Sequence, residues 1–212
     1  MKGQFFPYKD ENIAKTKPYI TYALIAVNVL IFFWSLTNFE NIIDNYGFKP
    51  AAVTLLTVFS SMFLHGGLDH LFGNMWYMFI FSDNVEDRLG KAKFILFYLL
   101  SGVAATFVHY LTNLGSNIPA IGASGAISGV LGAYWIMFPN VRVHVASYYY
   151  HGTIPAQYMI GFWFLLQLIF GTASLVGGSS SGIAFWAHIG GFLFGAILTW
   201  LYLQMEKSKR KR

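Results

Sequence analysis

The stretch IGASGAISGVLGAY, Ile121 to Tyr134, decides how this chain is read. It packs four glycines, three alanines and two serines into 14 residues, inside a run of 48 uncharged residues between Lys93 and Arg142. In a bilayer, small residues at helical spacing let two backbones approach closely. That accounts for the glycines. It does not account for Ser124, set between Ala123 and Gly125.

The rest of the chain supplies the setting. Its 212 residues are 56% hydrophobic and 11% charged, with a mean hydropathy of +0.51. A soluble domain is about one quarter charged, so this composition implies a polytopic membrane protein. The absence of cysteine excludes disulfides, thiolate catalysis and cysteine-bound metals. The opening segment, MKGQFFPYKDENIAKTK, is polar and shows no cleavable signal, so the first apolar run is expected to be an uncleaved anchor.

Charge at the bilayer centre is costly, so uncharged runs mark the spans. Lys17 to Glu40 encloses 22 uncharged residues, enough for one span. Lys93 to Arg142 holds two, joined at 113–119, and the 63 residues between Arg142 and Glu206 hold two more, joined at GGSSSG, 177–182. Pro50 to Ser82 has 33 residues around Asp69. Two spans need ~40 residues plus a turn, so this region reads as one span after an interfacial apolar segment, AAVTLLTVFSSMFLHGG. Six spans are expected, at about 18–38, 68–87, 92–112, 124–138, 155–176 and 183–204.

The fold class is therefore an all-α polytopic bundle. Residues 1–17 are a cytoplasmic N-terminal segment, 18–204 one six-helix domain, and 205–212 a basic cytoplasmic tail. On this topology 13 of the 14 lysines and arginines fall on one side, and Lys49 alone on the other. The positive-inside rule puts both termini in the cytoplasm. The same partition explains the net charge of +5 without nucleic acid.

The fourth span is short, ending at Phe138 before Pro139 and Arg142. Ser124 to Phe138 makes ~22 Å of helix against a ~30 Å core. Ser124 therefore sits roughly 8 Å below the outer surface, at a helix start inside the membrane. The first N–H groups of that helix have no intrahelical partner and need protein or water. Such a terminus suits a nucleophilic serine and an oxyanion.

Gly125, Gly129 and Ala133 form one small-residue stripe, and Ala187, Gly191 and Gly195 form another on the sixth span. Packing the two would bring Ser124 to His188. By helical rise, His188, His70 and Asn74 lie at similar depth. His70 and Asn74, four apart, share a face and can offer hydrogen bonds to an oxyanion beside the Ser124 N–H. Histidine can accept the serine proton. His109 lies at the same depth and stays open as a second candidate base. The bland readings are that Ser124 bonds its own i−4 carbonyl and that the histidines join helices. No acid is positioned to orient His188, so the expected pair is a dyad.

Together these residues resemble the rhomboid intramembrane serine proteases. GASGAISG around Ser124 is similar to the nucleophile motif of that family. His70-Leu-Phe-Gly-Asn74 is similar to its HxxxN motif, and Ala187-His188-Ile-Gly-Gly191 to its AHxGG motif. The resemblance covers about 19–203 and implies a six-helix rhomboid-like bundle. It implies a Ser124–His188 dyad and an oxyanion site of His70, Asn74 and the Ser124 N–H, with Gly122, Gly125, Gly129, Gly191 and Gly195 in packing roles. It implies endopeptidase action on transmembrane-protein substrates, with no cofactor and no metal. It also implies a site opening to the non-cytoplasmic side, lateral access between the second and fifth spans, and a cap at 177–182. The loop after the first span lacks the Trp-Arg pair found in many members. The competing expectation is a non-proteolytic membrane protein whose His70/His109/His188 layer binds metal or haem or lines a transport path.

Overall fold

A computed structural model describes residues 6–147, 151–177 and 182–210. The helices are α1 (Tyr19–Ser35), α2 (Phe39–Tyr46), α3 (Leu55–Ser60), α4 (Leu68–Leu89), α5 (Lys91–Thr112), α6 (Ser124–Met137), α7 (Ala156–Gly177) and α8 (Phe185–Arg210). Four helical segments are long and apolar enough to cross a membrane: Tyr19–Tyr46, Lys91–Thr112, Ala156–Leu175 and Phe185–Lys209. α4 carries Asp83, Glu86, Asp87 and Arg88 in its last two turns, and α6 has only 14 residues.

α6 is the core. Gly125 to Tyr134 is buried without interruption, as expected of a helix that is apolar all round. α5 and α8 pack along its small-residue faces, with α4 on another side. Among the described residues α1 packs mainly on α4, and α7 mainly on α8.

Three strands depart from the all-α expectation. β1 (Phe6–Asp10), β2 (Arg142–Ala146) and β3 (His151–Pro155) form an antiparallel sheet in the order β1-β2-β3. The signal was present in Arg-Val-His-Val-Ala, where buried Val143 and Val145 alternate with more exposed neighbours at the period of a strand. The N-terminal segment is thus docked. Trp76 Nε1 donates to Pro7 O at 2.7 Å. Asp10 accepts from Asn84 Nδ2 at 2.8 Å and from the Tyr134 hydroxyl. Burial pushes the Asp10 carboxyl up, and the Tyr134 hydrogen bond opposes that rise. At the other end, α8 runs through Arg210, so residues expected as a tail are helical, with Arg88 paired to Glu206 at 2.5 Å.

One carboxylate fixes the start of α1. Pro18 precedes that helix and offers no side-chain cap. Glu86, 1% exposed, accepts from Ile20 N at 3.0 Å and from Thr21 N and Oγ1, each at 2.8 Å. It satisfies two orphan donors and places negative charge at the positive end of the helix. Glu86→Ala is expected to destabilise the protein by about 1–3 kcal/mol, since buried donors lose their acceptor. Thermal unfolding in detergent measures this, and an unchanged midpoint would show that α1 docks without the cap.

Candidate functional site

The segment before α6 is held by backbone bonds to the loop after α1. Phe48 and Ala120 exchange hydrogen bonds at 3.0 and 2.8 Å, and Gly122 N donates to Ser61 O at 2.8 Å. Gly122 has φ +128, a region that favours glycine. A Cβ there would also lie 2.9 Å from His70 Cε1 and Nε2. Glycine at 122 thus lets the chain turn into α6 with His70 against it.

Ser124 opens α6, and its Oγ lies 2.9 Å from His188 Nε2. The i−4 bond considered for Ser124 is made by its neighbour instead: Ser128 Oγ donates to Ser124 O at 2.6 Å. The other ring nitrogen of His188, Nδ1, lies 2.9 Å from Gln167 Oε1 on α7. The Trp163 ring, one turn earlier on α7, lies 6.1 Å from the His188 ring at 34°. Ser124 and His188 are both partly exposed.

His70 accepts from Gly66 N at Nδ1, 3.3 Å. An N–H aimed at Nδ1 leaves the neutral ring's proton on Nε2, the atom beside Gly122. Asn74 Nδ2 donates to His70 O at 2.8 Å. A primary amide has two N–H groups, so this bond uses one. His109 takes a different position. Its Nδ1 lies 3.3 Å from Asn113 Nδ2, its ring packs on Phe48, and it lines a cavity of about 40 Å³ with Ser124, Gly125 and Ala187. His65 is fully buried against the His70 ring, at 5.0 Å between centroids.

The glycine stripes meet, but with a geometry that spacing alone did not give. Gly191 and Gly195 of α8 press on the backbone carbonyls of Gly125 and Gly129. The open sides of Gly125 and Gly129 are instead filled by Ala105 and Ser101 of α5. The seam therefore joins three helices. Gly132 extends it against the Phe192 backbone. Val130 of α6 is fully buried in the core.

Of the residues read from the sequence, Ser124 and His188 meet, His70 lies beside Gly122, and Asn74 bonds the His70 carbonyl; Gln167, which contacts His188, was not among them. Its signal was one amide inside an apolar helix, four residues after Trp163. Residues 178–181, within the expected cap, lie outside the described residues.

Comparison with known proteins shows the family. The Rhomboid domain model matches residues 52–205. Rhomboid protein 1, mitochondrial, of Saccharomyces cerevisiae is 28% identical over all of this chain and 64% of its own length. The presenilin-associated rhomboid-like protein, mitochondrial, of Homo sapiens is 34% identical over 58% of this chain and 34% of its own. YdcA of Bacillus subtilis is 27% identical over 91% of this chain and 92% of its own. The chain thus spans about two thirds of the yeast relative and a third of the human one. With a family model covering most of its length, and with apolar helices long enough to span a bilayer, the chain belongs to the rhomboid family of integral membrane proteins.

Proposed function

We propose that this protein is an intramembrane serine endopeptidase, with Ser124 as nucleophile and His188 as general base. The observation that carries the reading is the 2.9 Å contact between Ser124 Oγ and His188 Nε2 at the first residue of a buried helix. Nε2 takes the Oγ proton as Oγ attacks the peptide carbonyl, and later returns it to the leaving amine. The tetrahedral oxyanion forms at the α6 N-terminus, where the Ser124 N–H, His70 Nε2–H and the second Asn74 N–H donate to it. A water then releases the acyl-enzyme by the same proton path.

In this reading six helices cross the bilayer: α1, α4, α5, α6, α7 and α8. α6 begins inside the membrane because its 14 residues make ~21 Å of helix. Residues 18–204 form the catalytic unit, with residues 1–17 and 205–212 on the cytoplasmic side and the site opening to the opposite face. The substrates are transmembrane proteins, reaching Ser124 between α4 and α7. Phe72 and Phe79 on α4 and Phe162 and Ile169 on α7 are exposed apolar side chains on those two helices. The metal, haem or transport reading is not favoured. His188 is engaged by Ser124 and Gln167, and no three His, Asp or Glu side chains converge among the described residues.

The test is reconstitution with a single-pass membrane protein and mass analysis of the products. Fragments that meet within or beside the substrate's membrane segment are expected, and an intact substrate would count against the reading. Asn74→Ala removes one oxyanion donor and should lower turnover about 10²–10³-fold with little change in KM. An unchanged rate would limit Asn74 to its bond within α4 and leave the oxyanion to His70 and the backbone.

A further inference from the structure

We propose that Gln167 is a positioning residue that holds His188 in the tautomer able to take a proton from Ser124; the role rests on the Ser124–His188 reading above. Gln167 lies in the middle of α7 between Phe164-Leu165-Leu166 and Leu168-Ile169-Phe170. A primary amide there is costly unless it is hydrogen-bonded. Gln167 is buried, and its Oε1 lies 2.9 Å from His188 Nδ1.

The tautomer follows from donor and acceptor counting. A neutral imidazole carries one N–H and one lone pair, and an amide oxygen only accepts. Gln167 Oε1 therefore requires the proton on Nδ1. That leaves the lone pair on Nε2, directed at Ser124 Oγ 2.9 Å away. In the other tautomer two acceptors would face each other at Nδ1, and Nε2–H would donate to Ser124 and be unable to take its proton.

Trp163, on the same face of α7, lies tilted against the imidazole. One face of α7 thus sets both the ring's orientation and its protonation pattern. When Nε2 gains the serine proton, Nδ1–H keeps its bond to Oε1, so no rearrangement accompanies the transfer. The acceptor is neutral and stabilises the imidazolium less than a carboxylate would. The other titratable groups beside the site are His70 on α4 and His109 on α5. Among the described residues no carboxylate is hydrogen-bonded or ion-paired to it.

Two substitutions separate this role from packing. Gln167→Met keeps length and volume but removes the acceptor. Gln167→Glu keeps an acceptor oxygen and adds charge. Both are compared with wild type in proteoliposomes for kcat, KM and the pH dependence of kcat/KM. Gln167→Met should lose about 10²-fold in kcat, the scale of a misplaced catalytic group, with KM little changed. Gln167→Glu should keep activity, with the acid limb of its profile displaced to higher pH. The sign follows because a carboxylate favours the protonated imidazole, so the base form appears only at higher pH.

Wild-type kcat and profile in Gln167→Met would overturn the inference. So would equal losses in both variants with an unmoved acid limb, which would mark a packing role. If Gln167→Met unfolds at the assay temperature, the Gln167→Glu profile decides, and an unmoved limb overturns the role. Ser124→Ala and His188→Ala are assayed beside them. Turnover surviving in either would break the underlying reading, whereas their inactivity beside unaffected Gln167 variants would remove only the role of Gln167.

Discussion

Ser124→Ala and His188→Ala are each expected to abolish cleavage, by about 10⁶-fold in kcat if the pair behaves like other serine–histidine units. The reason is mutual dependence. Without Oγ there is no nucleophile. Without the imidazole, the hydroxyl proton has no acceptor at 2.9 Å. The double variant should therefore be no worse than either single one. Both side chains are small beside the packed core, so unfolding temperature should change little. Assays of all three variants in proteoliposomes check this. Turnover retained in His188→Ala but lost in His109→Ala would transfer the base to α5, where His109 shares the small cavity beside Ser124.

The second large effect is expected at the three-helix seam. A Cβ at Gly191 would fall on the carbonyl oxygen of Gly125 and lie 3.0 Å from its carbon. At Gly195 it would fall on the carbonyl oxygen of Gly129 and lie 2.6 Å from its Cα. These neighbours are helix backbone and cannot swing aside as a flexible side chain can. Gly191→Leu and Gly195→Leu must therefore push α8 off α6. Overpacking costs about 1–3 kcal/mol in ordinary cores, and a backbone clash belongs at or above the top of that range.

His188 sits one turn from Gly191 on α8, so the same push separates it from Ser124. A shift of about 1 Å can cost ~10²-fold in rate. Activity should fall further than stability, measured as cleavage rate and unfolding midpoint on the same preparations. Val130 is unsuitable as a control because it is fully buried. Ile197→Leu on the exposed side of α8 serves instead, since Ile197 is 58% exposed. Full activity in both glycine variants would mean that close approach of α6 and α8 does not set the Ser124–His188 distance.

Most helices were legible because charge and turn residues punctuate them. The segments read as 92–112 and 124–138 are helices at Lys91–Thr112 and Ser124–Met137. The meeting of Ser124 with His188, and of His70 with the segment before α6, was legible for a different reason. Polar side chains in apolar helices at matched depth are few, and rise per residue fixes depth. Rotation about the helix axis is less constrained by spacing. That is why the partners of Gly125 and Gly129 on α5 were missed, although their four-residue period was plain. The sheet escaped because its strands are five residues each, and β1 pairs with β2 across more than 130 positions of chain. Gln167 was not legible as a partner of His188 because a neutral amide inside an apolar helix carries no charge to mark it. An amide oxygen accepts the same hydrogen bond without the desolvation cost of a buried charge.

The most direct test of the account is covalent labelling with a fluorophosphonate, followed by intact-mass measurement and peptide mapping. Such a reagent reports an activated serine whether or not a natural substrate is known. The account predicts one adduct on Ser124 in the folded wild type. Labelling should be lost in Ser124→Ala and in His188→Ala, while Ser128, whose hydroxyl is bonded to Ser124 O, stays unmodified. A folded wild type that takes no label, or one labelled equally well after His188→Ala, would contradict it.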